Sequence, residues 1–154
     1  MQHQNKRKSF QKTDKMQFEK LDHIGIAVKD IEKSNELFAL LTGKKAYKLE
    51  AVESENVMTS FFDGGNMKVE LLQATDATSP IAKFIEKRGE GLHHIAFEVE
   101  NIEEKMKDFE AKGFRLLNKT PKKGADNKLI CFLHPKDTNG VLIELCQSIE
   151  ISEQ

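Results

Sequence analysis

The chain has 154 residues, enough for one domain of ordinary size or for two small halves that share a core. Hydrophobic residues make up 38% and charged residues 32%, and the formal net charge is −1, which argues against nucleic acid or a membrane surface as a partner. No apolar run approaches the roughly 20 residues of a membrane-spanning helix, and no secretory signal is evident. Cys131 and Cys146 lie in apolar, strand-like runs without CxxC spacing, which predicts reduced, buried thiols in a cytoplasmic protein.

Residues 1–17 are predicted to form a disordered leader. Five basic residues stand against one acid in its first 15 positions, and Phe10 is the only aromatic residue there. Such a segment cannot bury enough apolar surface to offset the entropy lost on ordering. A basic arm for nucleic acid is an alternative interpretation, and a start of synthesis at Met16 is another.

The segment of about residues 18–73 is predicted as a first module with the order strand, helix, three strands. Residues 21–28 alternate in hydrophobicity, so that His23 shares a strand face with Gly25 and Ala27. A helix follows, with Asp30 as its N-cap and Gly43 as its end. The remaining strands are predicted at residues 46–52, 57–62 and 67–72, the last two joined by a hairpin turn at 63–66.

Residues 74–91 are predicted as a connector with a short helix, and residues of about 92–148 as a second module of the same order. Its first strand is expected at 94–99, and its helix runs from about Asn101 to Lys112 before Gly113. Three strands are then predicted at residues 114–118, 128–133 and 141–146, with a polar loop at 120–127.

Two stretches of sequence occur twice, which indicates that one module is used two times. His23 to Val28 aligns without a gap with His94 to Val99, at an offset of 71 residues. Val69 to Leu72 also aligns without a gap with Ile143 to Cys146, at an offset of 143 − 69 = 74 residues. The repeat predicts an α+β fold made of two paired βαβββ modules.

Each copy of the repeat supplies one histidine and one glutamate, which together predict a metal site. Glu70 and Glu144 are each flanked by strand-forming apolar residues, and a buried carboxylate needs a compensating partner. Two imidazoles, from His23 and His94, and two carboxylates suit a divalent ion such as Co²⁺, Ni²⁺, Mn²⁺ or Zn²⁺, with room for substrate. Any one of the four alone has an ordinary structural explanation.

Two further histidines carry weaker signals. His93 is expected on the opposite strand face from His94, where it packs or supports a ligand rather than binding the metal itself. His134 lies in a turn that contains proline, a position from which contact with a ligand is an option.

Several motifs resemble the methylmalonyl-CoA epimerase family of the vicinal oxygen chelate superfamily, over about residues 18–148. The resemblance implies an open β-barrel around a metal held by His23, Glu70, His94 and Glu144. It also implies Co²⁺ first among the divalent ions, an acyl-CoA substrate that is epimerised at C2, and a homodimer. Ser79, Lys122 and Lys123, which lie within these motifs, are expected to bind substrate. The motifs are residues 23–28, 79–84, 89–97, 121–125, and 132–136 with 144–145.

Epimerisation at C2 requires one proton-transfer group on each face of the carbon. The resemblance implies that Glu144 is both ligand and acid/base. The family also places a carboxylate in the strand that corresponds to residues 57–62, but this chain has Met58, Thr59 and Ser60 there. Glu98 is the second candidate, about 13 Å beyond His94 on the same strand face. The alternatives are a solvated position for Glu98, with the second base provided by Glu70, a metal-bound water or the loop at 120–127.

Two other functions stay open at this point. A glyoxalase I-type isomerase would use the same four ligands on a glutathione adduct, and an antibiotic-binding module would carry out no chemistry. The intact ligand set argues against the binding module, and the motifs shared with the CoA epimerases argue against the glyoxalase.

Overall fold

Eight strands and three helices form the part of the chain that the structure, a computed structural model, describes, which is residues 16–150. The first module contains β1 (Lys20–Ala27), α1 (Ile31–Thr42), β2 (Lys48–Val52), β3 (Val57–Asp63) and β4 (Lys68–Ala74). The connector contains α2 (Pro80–Arg88). The second module contains β5 (Gly91–Glu98), α3 (Ile102–Ala111), β6 (Lys122–Lys123), β7 (Lys128–Leu133) and β8 (Ile143–Ser148).

All eight strands belong to one sheet, in the order β2-β3-β4-β1-β5-β8-β7-β6. The two halves of this order are equivalent: β1 is parallel to β4, β5 is parallel to β8, and β1 meets β5 antiparallel at the centre. The predicted α+β fold of paired βαβββ modules is therefore confirmed. The sheet curls into a half-barrel, and the repeat detected in the sequence relates its two sides.

The helices begin at equivalent side-chain caps and cover one face of the sheet. Asp30 accepts a hydrogen bond from the Lys33 amide at the start of α1, and Asn101 does the same for Glu104 in α3. Apolar residues of α1 pack on β3 and β4, and those of α3 pack on β7 and β8. The side chains of the opposite sheet face are thereby left to line a cavity.

The predicted strand at residues 114–118 is wrong. Only one isolated antiparallel bridge, Leu116 to Leu133, forms there, and the second strand of the module is instead the short β6. Asn118 explains the interruption, since its side chain bonds the Phe132 amide and the Ile130 carbonyl in place of a continuing backbone ladder. Pro121 then lacks the amide hydrogen that a ladder would need.

Most of the predicted leader lies outside the described residues. Of its last two positions, Gln17 accepts a hydrogen bond from Lys105 Nζ at 3.0 Å. Phe18 stacks on Phe97 with ring centroids 4.3 Å apart, so the ordered domain already includes this residue. No helix within residues 16–150 is long and apolar enough to cross a membrane. Both cysteines are buried and free, as predicted.

Candidate metal and substrate site

A cavity lies on the sheet face that α1 and α3 leave uncovered. Alternation along the strands explains its lining: in β4, Val69 and Leu71 pack toward α1, whereas Glu70 and Leu72 line the cavity. His23, His94 and Glu144 line it as well.

The pairing register places the four predicted metal ligands at equivalent points of the two modules. Glu70 lies beside Gly25 on β1, two residues after His23, and Glu144 lies beside Ala96 on β5, two residues after His94. The small residues opposite the imidazoles make room for them. Gly25 pairs with His94, and a Cβ at position 25 would collide with the imidazole ring.

The structure brings the four side chains together. Nε2 of His23 lies 3.0 Å from Nε2 of His94 and 3.2 Å from Oε2 of Glu144. Oε1 of Glu144 is 4.0 Å from His94 Nε2, and Oε2 of Glu70 is 2.8 Å from His23 Nδ1. One ligand atom from each of His23, His94 and Glu144 lies within 4.8 Å of the others, a spacing that a single ion can span.

The donor set fits a divalent cation. All four side chains are buried, with relative exposures between 3% and 6%. Oε2 of Glu70 and Oε2 of Glu144 are buried, accept no hydrogen bond of good geometry, and lie against the His23 ring at 2.8 Å and 3.2 Å. Two buried carboxylates that share one imidazole lack compensating positive charge, and a divalent cation between these groups would supply it. Imidazole and carboxylate ligands favour Co²⁺, Ni²⁺, Mn²⁺ or Zn²⁺, in agreement with the ligand chemistry of the sequence.

Burial and mutual charge determine the protonation of the cluster. Burial lowers the pKa of His94 to about 3 and that of His93 to about 4, so both rings are neutral at pH 7. Burial would also lower the pKa of His23, but its carboxylate neighbours, Asp22 first, raise it well above the usual range. Burial raises the pKa of Glu70. Binding of a metal at His23 Nε2 therefore requires that this ring lose a proton.

His93 does not lie where simple alternation predicts. Gly25 pairs with His94 and Ile26 pairs with Leu92, so His93 has no partner on β1 and forms a β-bulge. The bulge turns His93 toward the same cavity as His94, and their Nδ1 atoms are 2.9 Å apart. The expectation of opposite faces is wrong, because sequence alternation cannot reveal a bulge.

The sequence did not single out Asp22 or the two lysines that contact it. Asp22 is 4% exposed, and its Oδ2 lies 2.7 Å from His23 Nδ1. Lys68 Nζ and Lys128 Nζ are 3.2 Å and 3.4 Å from its carboxylate oxygens. These cations and the hydrogen bond of His23 hold the pKa of Asp22 below its usual range although burial opposes this. The one signal in the sequence, separate from strand alternation, was the position of an acid directly before a candidate ligand.

Glu98 lies outside the cavity. Its carboxylate contacts Lys20 Nζ and Lys128 Nζ at 3.6 Å each and accepts a hydrogen bond from Ser148 Oγ at 3.0 Å. The structure therefore does not bring Glu98 to the metal cluster, and its catalytic role stays a prediction that this geometry does not favour. His134 does not line the cavity either. Its ring accepts a hydrogen bond from the Lys136 amide and caps a short 3₁₀ turn.

None of the three predicted substrate-binding side chains lines the cavity, although their neighbours Pro80 and Gly124 do. Ser79 is fully buried, and its hydroxyl accepts a hydrogen bond from the Ile81 amide as the N-cap of α2. Lys122 forms an ion pair with Glu55, and Lys123 is exposed.

Two acids that line the cavity were not chosen as individual candidates. Glu55 belongs to a short 3₁₀ turn before β3, where the sequence predicts only a polar turn. Asp126 belongs to the loop at 120–127, which is one of the predicted sources of the second base. Its carboxylate contacts Lys48 and Lys68. Thr59, at the strand where the family places a carboxylate, lines the cavity with a buried hydroxyl that has no hydrogen-bond partner.

Residues 22–132 match the family described as the glyoxalase/bleomycin resistance protein/dioxygenase superfamily. The chain belongs to this superfamily. It is 39% identical to human mitochondrial methylmalonyl-CoA epimerase over 130 residues, which cover 84% of this chain and 74% of the human protein.

Solved structures of the superfamily give the same result. Methylmalonyl-CoA epimerase from Mycobacterium tuberculosis superposes with a TM-score of 0.84 at 30% identity, over 94% of this chain and 95% of that one. A methylmalonyl-CoA epimerase in complex with methylmalonyl-CoA and ammonium superposes with a TM-score of 0.80 at 34% identity, over 89% and 99% of the two chains. The resemblance inferred from the sequence motifs is confirmed.

Proposed function

We propose that this protein is a metal-dependent epimerase that inverts C2 of methylmalonyl-CoA. The observation that carries the proposal is the buried cluster of His23, His94 and Glu144, whose ligand atoms lie within 4.8 Å of one another, with Glu70 2.8 Å from the Nδ1 atom of His23. The similarity to methylmalonyl-CoA epimerases over most of the chain supports the substrate.

The chemistry requires a stabilised carbanion at C2. His23, Glu70, His94 and Glu144 would hold a divalent ion, which supplies Lewis-acid stabilisation of the negative charge that develops on the thioester oxygen. A carboxylate on one face removes the C2 proton, the electron pair moves toward the thioester oxygen, and a proton is returned on the other face. The apolar part of the cavity, which includes Leu72 and Ile130, excludes water from the reacting carbon.

Proton exchange at C2 of methylmalonyl-CoA in heavy water tests the proposal. An epimerase incorporates deuterium and interconverts the two epimers. A glyoxalase I-type isomerase would instead act on a glutathione adduct, and a binding module would leave the C2 proton in place. Absence of both exchange and inversion with each of the four metals would contradict the proposed function.

We further propose that the CoA arm occupies a groove next to α2. The groove shares Pro80, His93 and His94 with the cavity, so the two lie side by side. Phe84 lies at their junction, with its ring edge-on to His93 at 5.0 Å. At the outer end, three exposed cations of α2 form no ion pair within residues 16–150 and suit the phosphates of CoA. They are Lys83, Lys87 and Arg88.

The groove predicts a specific loss of substrate affinity. The double variant Lys87→Ala/Arg88→Ala is expected to raise KM for methylmalonyl-CoA about tenfold, or ~1.4 kcal/mol, with kcat little changed. Steady-state kinetics with a truncated methylmalonyl thioester that lacks the phosphates provides the control, because KM for that substrate should not change. The pair Lys122→Ala/Lys123→Ala tests the site implied by the sequence motifs. If KM rises only in the Lys122→Ala/Lys123→Ala variant, the phosphates of CoA bind at Lys122 and Lys123 and not in the groove next to α2.

Three expectations from the sequence stay predictions: the homodimer, the cytoplasmic location and the preference for Co²⁺. Mass determination in solution checks the first. Metal analysis of protein purified without added metal checks the last.

A further inference from the structure

Both ligand histidines are preceded by a residue that sits in a β-bulge, and the two bulges are related by the repeat. Leu21 pairs with Phe97 and His23 with Ala96, which leaves Asp22 without a partner on β5. In the second module, His93 is skipped in the same way. Asp22 and His93 are 71 residues apart, the offset of the sequence repeat itself.

Each bulge places a polar side chain beside the Nδ1 atom of the following histidine. In a regular strand, neighbouring side chains point to opposite faces, so the contact would not form. Here Asp22 Oδ2 lies 2.7 Å from His23 Nδ1, and His93 Nδ1 lies 2.9 Å from His94 Nδ1. Bulges next to functional sites commonly re-aim side chains in this manner.

Contacts at Nδ1 determine which nitrogen of each ring is free for a metal. Nδ1 of His23 faces carboxylate oxygens of Asp22 and Glu70, at 2.7 Å and 2.8 Å, and donates toward them, while His94 can donate from Nδ1 to His93. Each ring then presents the lone pair of Nε2, and the two Nε2 atoms are 3.0 Å apart at the point where Glu144 also converges. Lys68 Nζ and Lys128 Nζ lie 3.2 Å and 3.4 Å from the Asp22 carboxylate and hold it in place beside His23.

We propose that Asp22 and His93 are positioning residues that orient His23 and His94 through Nδ1, and so direct both Nε2 atoms to one metal ion. The proposal rests on the metal site of the proposed function. The two supports differ in chemistry: a carboxylate makes His23 the stronger donor, whereas a neutral imidazole orients His94 without adding charge. The ion thus meets two imidazoles of unequal basicity.

Metal affinity of the whole protein tests the proposal, with Zn²⁺ and Co²⁺ each titrated against a competing chelator. Asp22→Asn keeps an oxygen beside His23 but removes the charge, and His93→Ala removes the partner of His94. Each is expected to weaken binding about 10–100-fold. His93→Asn is expected to recover part of the loss, because its side-chain oxygen can lie near the former Nδ1 position.

Asp126→Asn is the matched control for charge. It removes a carboxylate from Lys68, as Asp22→Asn does, but has no contact with His23. Its metal affinity is expected to equal that of the wild type. Thermal unfolding of each metal-free variant verifies that the fold is retained, and His93→Ala tests the proposal independently should Asp22→Asn fail to fold.

A ring-specific measurement separates positioning from general destabilisation. In zinc-loaded protein with ¹⁵N-labelled histidine, the Nδ1–H signals of His23 and His94 are expected to exchange slowly with solvent. Asp22→Asn should accelerate exchange at His23 alone, and His93→Ala at His94 alone. Unchanged affinity in both variants, or loss of both signals together, would overturn this inference. Failure of the wild type to bind either metal would instead overturn the proposed function, and this inference with it.

Discussion

His94→Ala is expected to abolish stoichiometric binding of a divalent metal and to reduce turnover of methylmalonyl-CoA by about 10³-fold or more. The imidazole provides the Nε2 atom 3.0 Å from that of His23, and without it the buried cluster has one imidazole and two carboxylates. Lewis-acid stabilisation contributes several kcal/mol to such a reaction, and each ~1.4 kcal/mol is a factor of ten in rate.

Metal content, thermal unfolding and kinetics together check this prediction. In the wild type, added metal should raise the unfolding temperature, because an ion held at about 100 times its Kd stabilises the native state by ~2.7 kcal/mol. The variant should show no such shift. His134→Ala is the matched control, since His134 only caps a short turn, and it should bind the metal normally. Full metal retention in His94→Ala would mean that the site has been assigned to the wrong residues.

The sequence predicted that the four candidate ligands lie together because a repeat adds information that single residues lack. Glu70 or His94 alone has an ordinary structural explanation, but equivalent positions in two modules must come together when the modules pair. The register explains why: the ligand glutamates lie beside Gly25 and Ala96, at equivalent points of β1 and β5. The repeat therefore predicts that the two modules pair through their equivalent first strands, β1 and β5.

Features that break the strand period could not be predicted. Alternation assigned His93 to the wrong face and gave no reason to consider Asp22, because a bulge depends on pairing with the neighbouring strand. For Glu98, alternation predicted a place near the metal site that the structure does not show. It shares the strand of His94, yet Lys20, Lys128 and Ser148 hold its carboxylate away from the cavity. Loop acids such as Glu55 reach the cavity through tertiary structure alone.

The acid/base groups can be assigned by separating proton exchange from inversion. Glu144→Gln is expected to retain the metal, since the amide keeps a donor oxygen, while turnover falls by a general acid–base factor of about 10²–10⁴. Four acids among residues 16–150 line the cavity. Two are the candidate ligands Glu70 and Glu144, and the other two are Glu55 and Asp126. We propose that one of these two carboxylates serves the face of C2 opposite Glu144.

Loss of the second base should produce an asymmetric result. If Glu55 is that base, Glu55→Gln will lose inversion, but one epimer of methylmalonyl-CoA will still exchange its C2 proton with heavy water. The remaining carboxylate can remove and return a proton on its own side, so exchange of that epimer survives without a change of configuration. Asp126→Asn, measured in the same way, should then epimerise at close to the wild-type rate, and the reverse pattern would assign the role to Asp126. Glu98→Gln completes the set: loss of inversion in this variant alone would show that the carboxylate outside the cavity moves in when substrate binds.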